Sequence, residues 1–427
     1  MSSPEPLSFR VEKLVPGGMG YARLANGKVA LVSGVVPNDR IEVISGSEHK
    51  GHTEVTQWKL LEASAERVEP VCPVASRCGG CDWMMIAAQA QHAAKISLLK
   101  EALTRTGKFS ELPEIAFVPS DNALGYRSRI RLQVSHSGAV GFFSQQSHEL
   151  VEAERCAVAT DAVNDALIRL RAISRLHPKA LGAFAHVEIR STPEGEVSLF
   201  FVRSPEERTQ TIDSSNFFNA LSSEFVVCTE QQQRDQSKWQ RYALTPNISL
   251  KAPPGTFTQV NWQVNQRLIG QVVQGARSRQ LGRFLELYCG SGNFTLPLLA
   301  NGFSGLAVES GRQAIAAAKS AALEQTLNPE TFLALDVGSF LASEVGKDAR
   351  YDWLLIDPPR AGIKAGIEAV SQLAKRHIAI CSCDPVTLAR DLRRLVDLGF
   401  ALESITAFDM FPQTHHVETL VWLKRAR

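Results

Sequence analysis

Long apolar runs are missing: no stretch reaches the roughly eighteen residues that a membrane span needs, so a membrane partner is not expected. The opening MSSPEPLSFR has neither the basic start nor the apolar stretch of a secretory signal, which implies a cytoplasmic protein. No internal repeat or low-complexity tract is present, and charge is nearly balanced, with 46 Lys and Arg against 44 Asp and Glu. That balance neither demands nor excludes nucleic acid, because local distribution outweighs the sum. Cysteines number only eight, and in a reducing compartment they read as thiols, metal ligands or catalysts rather than disulfides. Three of them crowd into CPVASRCGGCDW, at Cys72, Cys78 and Cys81.

A chain of 427 residues is too long for one ordinary core, so two or three domains are expected. Residues 1–64 alternate short apolar-patterned runs with Gly, Pro and Asn-Gly turns, which predicts a small β-barrel. Residues 65–256 mix a helix over 87–108, a second helix near 160–174, and strands such as RSRIRLQVS and EVSLFFVR. From residue 257 to 427 strands and helices alternate, as in an α/β domain whose sheet is mostly parallel with helices on both faces. Ligands of such sheets gather beyond the carboxyl ends of the strands, so the informative residues are those where a strand stops.

FLELYCGSGNFT sets a strand directly against Gly290 and Gly292. Small residues there let the backbone turn tightly and approach a ligand. The next strand ends in Glu309, an acidic side chain placed to bind the hydroxyls of a ribose. No Lys-Ser/Thr follows the loop, so it is not a P-loop, and the third glycine of a dinucleotide fingerprint is absent. S-adenosylmethionine fits this pattern better than NAD. LLIDPPRAG holds Asp357 at a rigid edge, because two prolines stop the strand. In CSCDP, Cys381 and Cys383 share a strand face, and Cys383 lies nearer the crevice, where a thiolate serves as a nucleophile. Cys381 reads as a small core residue. Glu418, at the start of the last apolar strand, is undecided by position alone between a rim carboxylate and a solvated one. YRSRIRLQV spaces Arg127, Arg129 and Arg131 two apart, a plausible phosphate-binding row for RNA, though charges also guard sheet edges.

FTQVNWQVN, ELYCGSGNFTLPLL, LLIDPPRAG, SCDPVTLARD and HVET, in that order, resemble the motif set of the RNA uracil-C5 methyltransferase family. The likeness is greatest to bacterial 23S rRNA 5-methyluridine methyltransferases that carry an N-terminal TRAM domain and an iron-sulfur cluster. It covers nearly the whole chain. It implies a Rossmann-like, class I S-adenosylmethionine-dependent domain behind a TRAM barrel and a central iron-sulfur domain. By the same resemblance Cys383 is the nucleophile and Glu418 the base that removes the C5 proton. Gln259, Tyr288, Asn293, Glu309, Asp336 and Asp357 become cofactor-binding positions, and Cys72, Cys78, Cys81 and Cys156 hold a 4Fe-4S cluster. Zinc is the structural rival, held by four thiolates or by three with His92. The motifs depart from the family's pattern at Asp384, where Asn is usual, at Tyr288, where Phe is common, and at Asp336, which is Asn in some relatives.

The resemblance implies a monomer acting on 23S rRNA, with uridine of the tRNA T-loop as the alternative substrate. A non-catalytic RNA-binding assembly protein is the alternative of another class. Residues 1–64 contain seven Lys and Arg and seven Asp and Glu, so an RNA role for the barrel rests on the resemblance alone.

Overall fold

The strands that end at the singled-out residues do lie side by side. In the computed structural model, which describes residues 7–145, 147–204, 215–347, 349–363 and 366–426, they form one eight-stranded sheet. Across the sheet the order is Phe332–Ala334, Gly305–Glu309, Phe284–Leu287, Tyr351–Ile356, Ala374–Ser382, Glu418–Arg425, Phe400–Phe408 and Ile115–Val118. All pairings are parallel except the two made by Glu418–Arg425. The central strands are buried on both faces, which is why FLEL and WLLI read as continuous apolar runs instead of alternating.

Each face is covered by its own core. On one side Leu99 and Leu103 of helix Ala88–Arg105 and Leu388, Leu392 and Leu395 of helix Pro385–Asp397 pack on Ile356, Ile378 and Val421. On the other, helices Trp262–Ser278 and Arg312–Glu324 cover Trp353, Ala379 and Trp422. The hairpin of Gln240–Thr245 and Ile248–Ala252 joins this second core through Tyr242 and Leu250. The chain thus contributes helix Ala88–Arg105 and strand Ile115–Val118 to this layer before it builds the central sheet. The sequence reading that divides the chain at residue 257 also allows helix 87–108 to pack on the last domain, as Leu99 and Leu103 do, but it does not anticipate the strand.

Between these contributions lies a six-stranded sheet ordered Leu150–Val151, Val140–Phe143, Arg129–Val134, Phe184–Ser191, Val197–Arg203 and Val226–Thr229, backed by helix Asp161–Leu176. At the N-terminus six short strands between Ser8 and Glu62 form another sheet around a small core of Val11, Ala30, Val32, Ile41 and Val55. Among the described residues no helix is long and apolar enough to cross a membrane.

Candidate active site

Cys383 follows the last residue of strand Ala374–Ser382, and Asp384 then caps helix Pro385–Asp397 by accepting from Thr387 N at 2.7 Å. Pro385, at the first helical position, needs no hydrogen-bond acceptor there. The sequence SCDP is therefore a strand end, a thiol, a helix cap and a helix start in four residues. Across the sheet the antiparallel register pairs Cys381 with Leu420 and Ser382 with Thr419. One further step of that register brings Cys383 opposite Glu418, and opposed residues present their side chains on one face. Asp357 ends the neighbouring strand on the other side. Cys381 is fully buried in the core, as expected.

Burial sets the chemistry of this triad. Glu418 is 5% exposed, and burial, then the Asp357 carboxyl, holds its pKa well above the ordinary carboxylate range. Asp357 is shifted upward by burial as well. Two adjoining carboxyls with little water cannot both ionise easily, so the pair retains a proton more tightly than either would alone. The Cys383 thiol is pushed up to about 11, chiefly by burial and next by Glu418, with Asp357 adding to them and Arg360 opposing by charge and hydrogen bonding. Arg360 belongs to the DPPR run, yet nothing in the sequence indicated that its guanidinium would reach this thiol.

The glycine loop lies beyond strand Phe284–Leu287. Gly292 has φ +91°, and a Cβ there would meet Leu296 and Phe332 at 3.0 and 3.1 Å. Gly290 has φ +53° and open space where a Cβ would point, so the backbone is bare toward the crevice. Tyr288 sits at φ +65°, costly for a bulky residue, and such strain concentrates at functional sites. Its phenol is raised by burial, then by Asp336, Asp391 and Glu309, which places the expected Glu309 and Asp336 around it. Glu309 accepts from Gly311 N at 2.7 Å through Oε1, and Asp336 caps helix Val337–Gly346 by accepting from Ser339 N at 2.9 Å. Asn293 exchanges paired amide hydrogen bonds of 2.8 and 3.0 Å with the buried Asn265. Gln259 is buried beside Val260, whose carbonyl accepts from Ser128 N at 2.9 Å. Among the described residues six buried side-chain polar atoms lack a partner: Thr258 Oγ1, Glu286 Oε1, Ser291 Oγ and Thr419 Oγ1, each within a few positions of an expected site residue, and Trp353 Nε1 and His377 Nδ1 within the sheet. Glu286, beneath the glycine loop, is pushed up to about 8 by burial. Polar atoms buried without partners are costly, and a bound polar ligand would answer several of these together. In the sequence Glu286 is indistinguishable from any residue inside a buried strand.

The four expected metal cysteines meet at a different place. Cys72, Cys78, Cys81 and Cys156 all line one cavity of about 150 Å³, between the cysteine segment and the central sheet. Gly79 N donates to Phe143 O at 3.0 Å, and Cys156 N donates to the buried Asn164 Oδ1 at 2.7 Å, so both strands of the chain are pinned. Burial pushes Cys81 up to about 12 and raises Cys78 and Cys156, with the neighbouring sulfurs adding to each. Among the described residues no group of three or more His, Cys, Asp or Glu is arranged to hold a metal ion. His92 is not at the cavity: its Nε2 faces Asp409 Oδ2 at 3.2 Å, which removes the three-thiolate zinc alternative.

The three arginines of the expected phosphate-binding row differ in their surroundings. Only Arg131 is exposed. Arg129 is held between Glu188, 3.9 Å away, and the ring of Phe257, 5.2 Å away. Arg127 precedes the strand and, like Arg131, lines the cysteine cavity. A neighbouring strand supplies Glu188 to Arg129, a partner that alternation along one strand does not show.

A parallel sheet with one antiparallel strand near its edge, a glycine turn after one central strand and an acidic side chain ending the next define an S-adenosylmethionine-dependent methyltransferase. A family model described as tRNA (Uracil-5-)-methyltransferase matches residues 88–426, and the chain belongs to that family. The 23S rRNA (uracil(1939)-C(5))-methyltransferase RlmD of Shewanella halifaxensis is 30% identical over 428 residues, 97% of this chain and 94% of that protein. The protein of the same description from Mannheimia succiniciproducens is 30% identical over 424 residues, 96% of this chain and 93% of its own length. Among solved structures, Pyrococcus abyssi tRNA (uracil-54, C5)-methyltransferase in complex with S-adenosyl-L-homocysteine superposes with a TM-score of 0.74. The match covers 98% of this chain and 100% of that one at 24% identity, and it shows a shared fold.

Proposed function

We propose that the protein methylates C5 of a uridine in 23S rRNA through a covalent bond between Cys383 and C6 of the ring. The observation that carries this reading is the meeting of Cys383, Glu418 and Asp357 at one end of the sheet. Uracil C5 is too weak a nucleophile to accept a methyl group unaided. Addition of the Cys383 thiolate at C6 gives the ring enolate character and makes C5 nucleophilic. S-adenosylmethionine, when bound, supplies an electrophilic methyl group. Glu418 then takes the C5 proton, the C5–C6 double bond re-forms, and Cys383 leaves. A carboxyl raised by burial is a stronger base than an exposed one and suits proton removal near neutral pH. Because the target base is stacked within RNA, it must be turned out to reach the thiol.

Gly290, Gly292, Tyr288, Glu309, Asp336, Asp357, Gln259 and Asn293 are the positions we assign to the cofactor; the unpartnered buried atoms beside them support its presence. The rRNA assignment is favoured by the near full-length similarity to proteins named for 23S rRNA. Purified protein given methyl-labelled S-adenosylmethionine should label a 23S rRNA fragment and leave tRNA unlabelled. Labelling of tRNA alone would transfer the proposal to that substrate, and labelling of neither would favour the non-catalytic alternative.

For the cysteine cavity we assign a 4Fe-4S cluster on Cys72, Cys78, Cys81 and Cys156. Its support is the donor set: four thiols line a single space, burial raises those of Cys78, Cys81 and Cys156, and a cationic centre would keep them deprotonated. The family resemblance, and not the donor set, favours a polynuclear cluster over a single zinc ion here. The cluster would tie the loop to the central sheet, and no step of the methylation needs an electron from it. Anaerobically purified protein should contain about four irons and four sulfides per chain, with a marked loss in Cys81→Ser. Iron-free protein of normal activity would remove the cluster from the account. Residues 1–64 we assign as a TRAM-type RNA-binding unit, residues 65–256 as the cluster domain and residues 257–427 as the catalytic domain.

A further inference from the structure

The connection between Phe408 and Glu418 has no regular structure, yet it decides where the Glu418 carboxyl enters its strand. Gln91 and Tyr126 hold its middle, at Gln413 and Pro412, and the segment immediately after Cys81 holds the part next to Glu418. Asp82 receives His415 twice: Oδ1 accepts from the His415 backbone N at 3.2 Å, and Oδ2 pairs with Nδ1. Trp83 N donates to Gln413 O at 3.0 Å. At the far end of the loop, fully buried Lys95 meets Asp409 Oδ1 at 2.5 Å. The N-terminal sheet closes the same junction. Gly18 accepts from Trp83 Nε1 at 3.0 Å, and a Cβ at Gly18 would lie 2.0 Å from Asp82 Oδ2.

We infer that Asp82 is a positioning residue for removal of the C5 proton: by holding His415 it fixes the run into Glu418. The inference rests on Glu418 being the base. In that step the C5–H bond breaks, the proton passes to Glu418, its electron pair restores C5=C6, and the C6–S bond breaks to return the Cys383 thiolate. Cys383 is supported differently, by its own strand and by the cap of helix Pro385–Asp397. Loosening His415 should therefore slow proton removal more than attack. Misplacement of a reacting group by an ångström costs on the order of 100-fold, and the loss of one anchor belongs in that range.

The test uses the full-length protein, RNA tritiated at uracil C5 and S-adenosylmethionine labelled in its methyl group, in single turnovers. Asp82→Asn and His415→Leu should form methylated protein-RNA adduct within about threefold of the wild-type rate while tritium release slows about 10- to 100-fold. His415→Asn keeps a donor where Nδ1 stood and should restore release to within about threefold of wild type. Because His415 is remote in sequence from the cysteines, its variants carry the test even where Asp82→Asn lowers iron content. Wild-type release in both Asp82→Asn and His415→Leu, or equal slowing of adduct formation and release, overturns the inference. Glu418→Gln run in parallel separates the two assignments. Normal release in Glu418→Gln removes the base and this inference with it, whereas a block there beside normal release in both Asp82→Asn and His415→Leu removes this inference alone.

Discussion

Cys383→Ala is expected to abolish methyl transfer, with a loss on the order of 10⁴-fold or more, as befits removal of a covalent nucleophile. Folding should survive the change, because Cys383 lies past the strand end and the helix cap belongs to Asp384. Binding of S-adenosylmethionine, followed by calorimetry, should also persist. The resting thiol is raised to about 11, so only a small part is ionised at neutral pH, and Arg360 is the group that favours the thiolate. The sign of the pH dependence follows: raising pH from 7 toward 9 enlarges the thiolate fraction and should speed adduct formation in the wild type. Cys381→Ala, by contrast, removes a buried core sulfur and should cost stability before it costs chemistry.

Glu418→Gln should produce the opposite accumulation. The amide keeps the side chain's shape and cannot take the C5 proton, so the methylated base stays bonded to Cys383. Turnover should fall by about 10²- to 10⁴-fold, the usual weight of a general base, while adduct on a denaturing gel rises to nearly one per active site. Neutralising the residue also relieves charge repulsion from Asp357 and the thiol, since the Glu418 carboxyl raises Cys383. The attack step in Glu418→Gln should therefore be no slower than in wild type. A variant that neither turns over nor forms adduct would assign Glu418 to an earlier step.

The positions at strand ends were legible because they depend on local order: a run of apolar residues, then glycine, proline or an acidic cap. Cys383 and Asp357 were placed at the crevice by that logic, and Cys381 in the core. Glu418 was not decided by it, because its burial comes from strands Ala374–Ser382 and Phe400–Phe408 on either side. The partner of Arg129 was hidden for a similar reason. Period-two alternation says which residues share a face and nothing about what covers that face, and Glu188 arrives from a strand more than fifty residues downstream. Glu286 escaped notice because a charged residue inside an apolar strand has no pattern of its own. Strand Ile115–Val118 was unreadable as part of the large sheet, since four residues carry no mark of the strand, nearly three hundred residues away, that they pair with.

The junction of Gly18, Asp82 and His415 is equally non-local. The segment that lines the cysteine cavity also holds the loop leading to Glu418.

The most direct measurement is mass spectrometry of the protease- and nuclease-digested adduct from Glu418→Gln with substrate RNA. The account predicts one modified peptide, containing Cys383 and carrying a uridine that is one methyl group heavier. A methylated RNA product with no uridine on any peptide, or a uridine on a different residue, would contradict it.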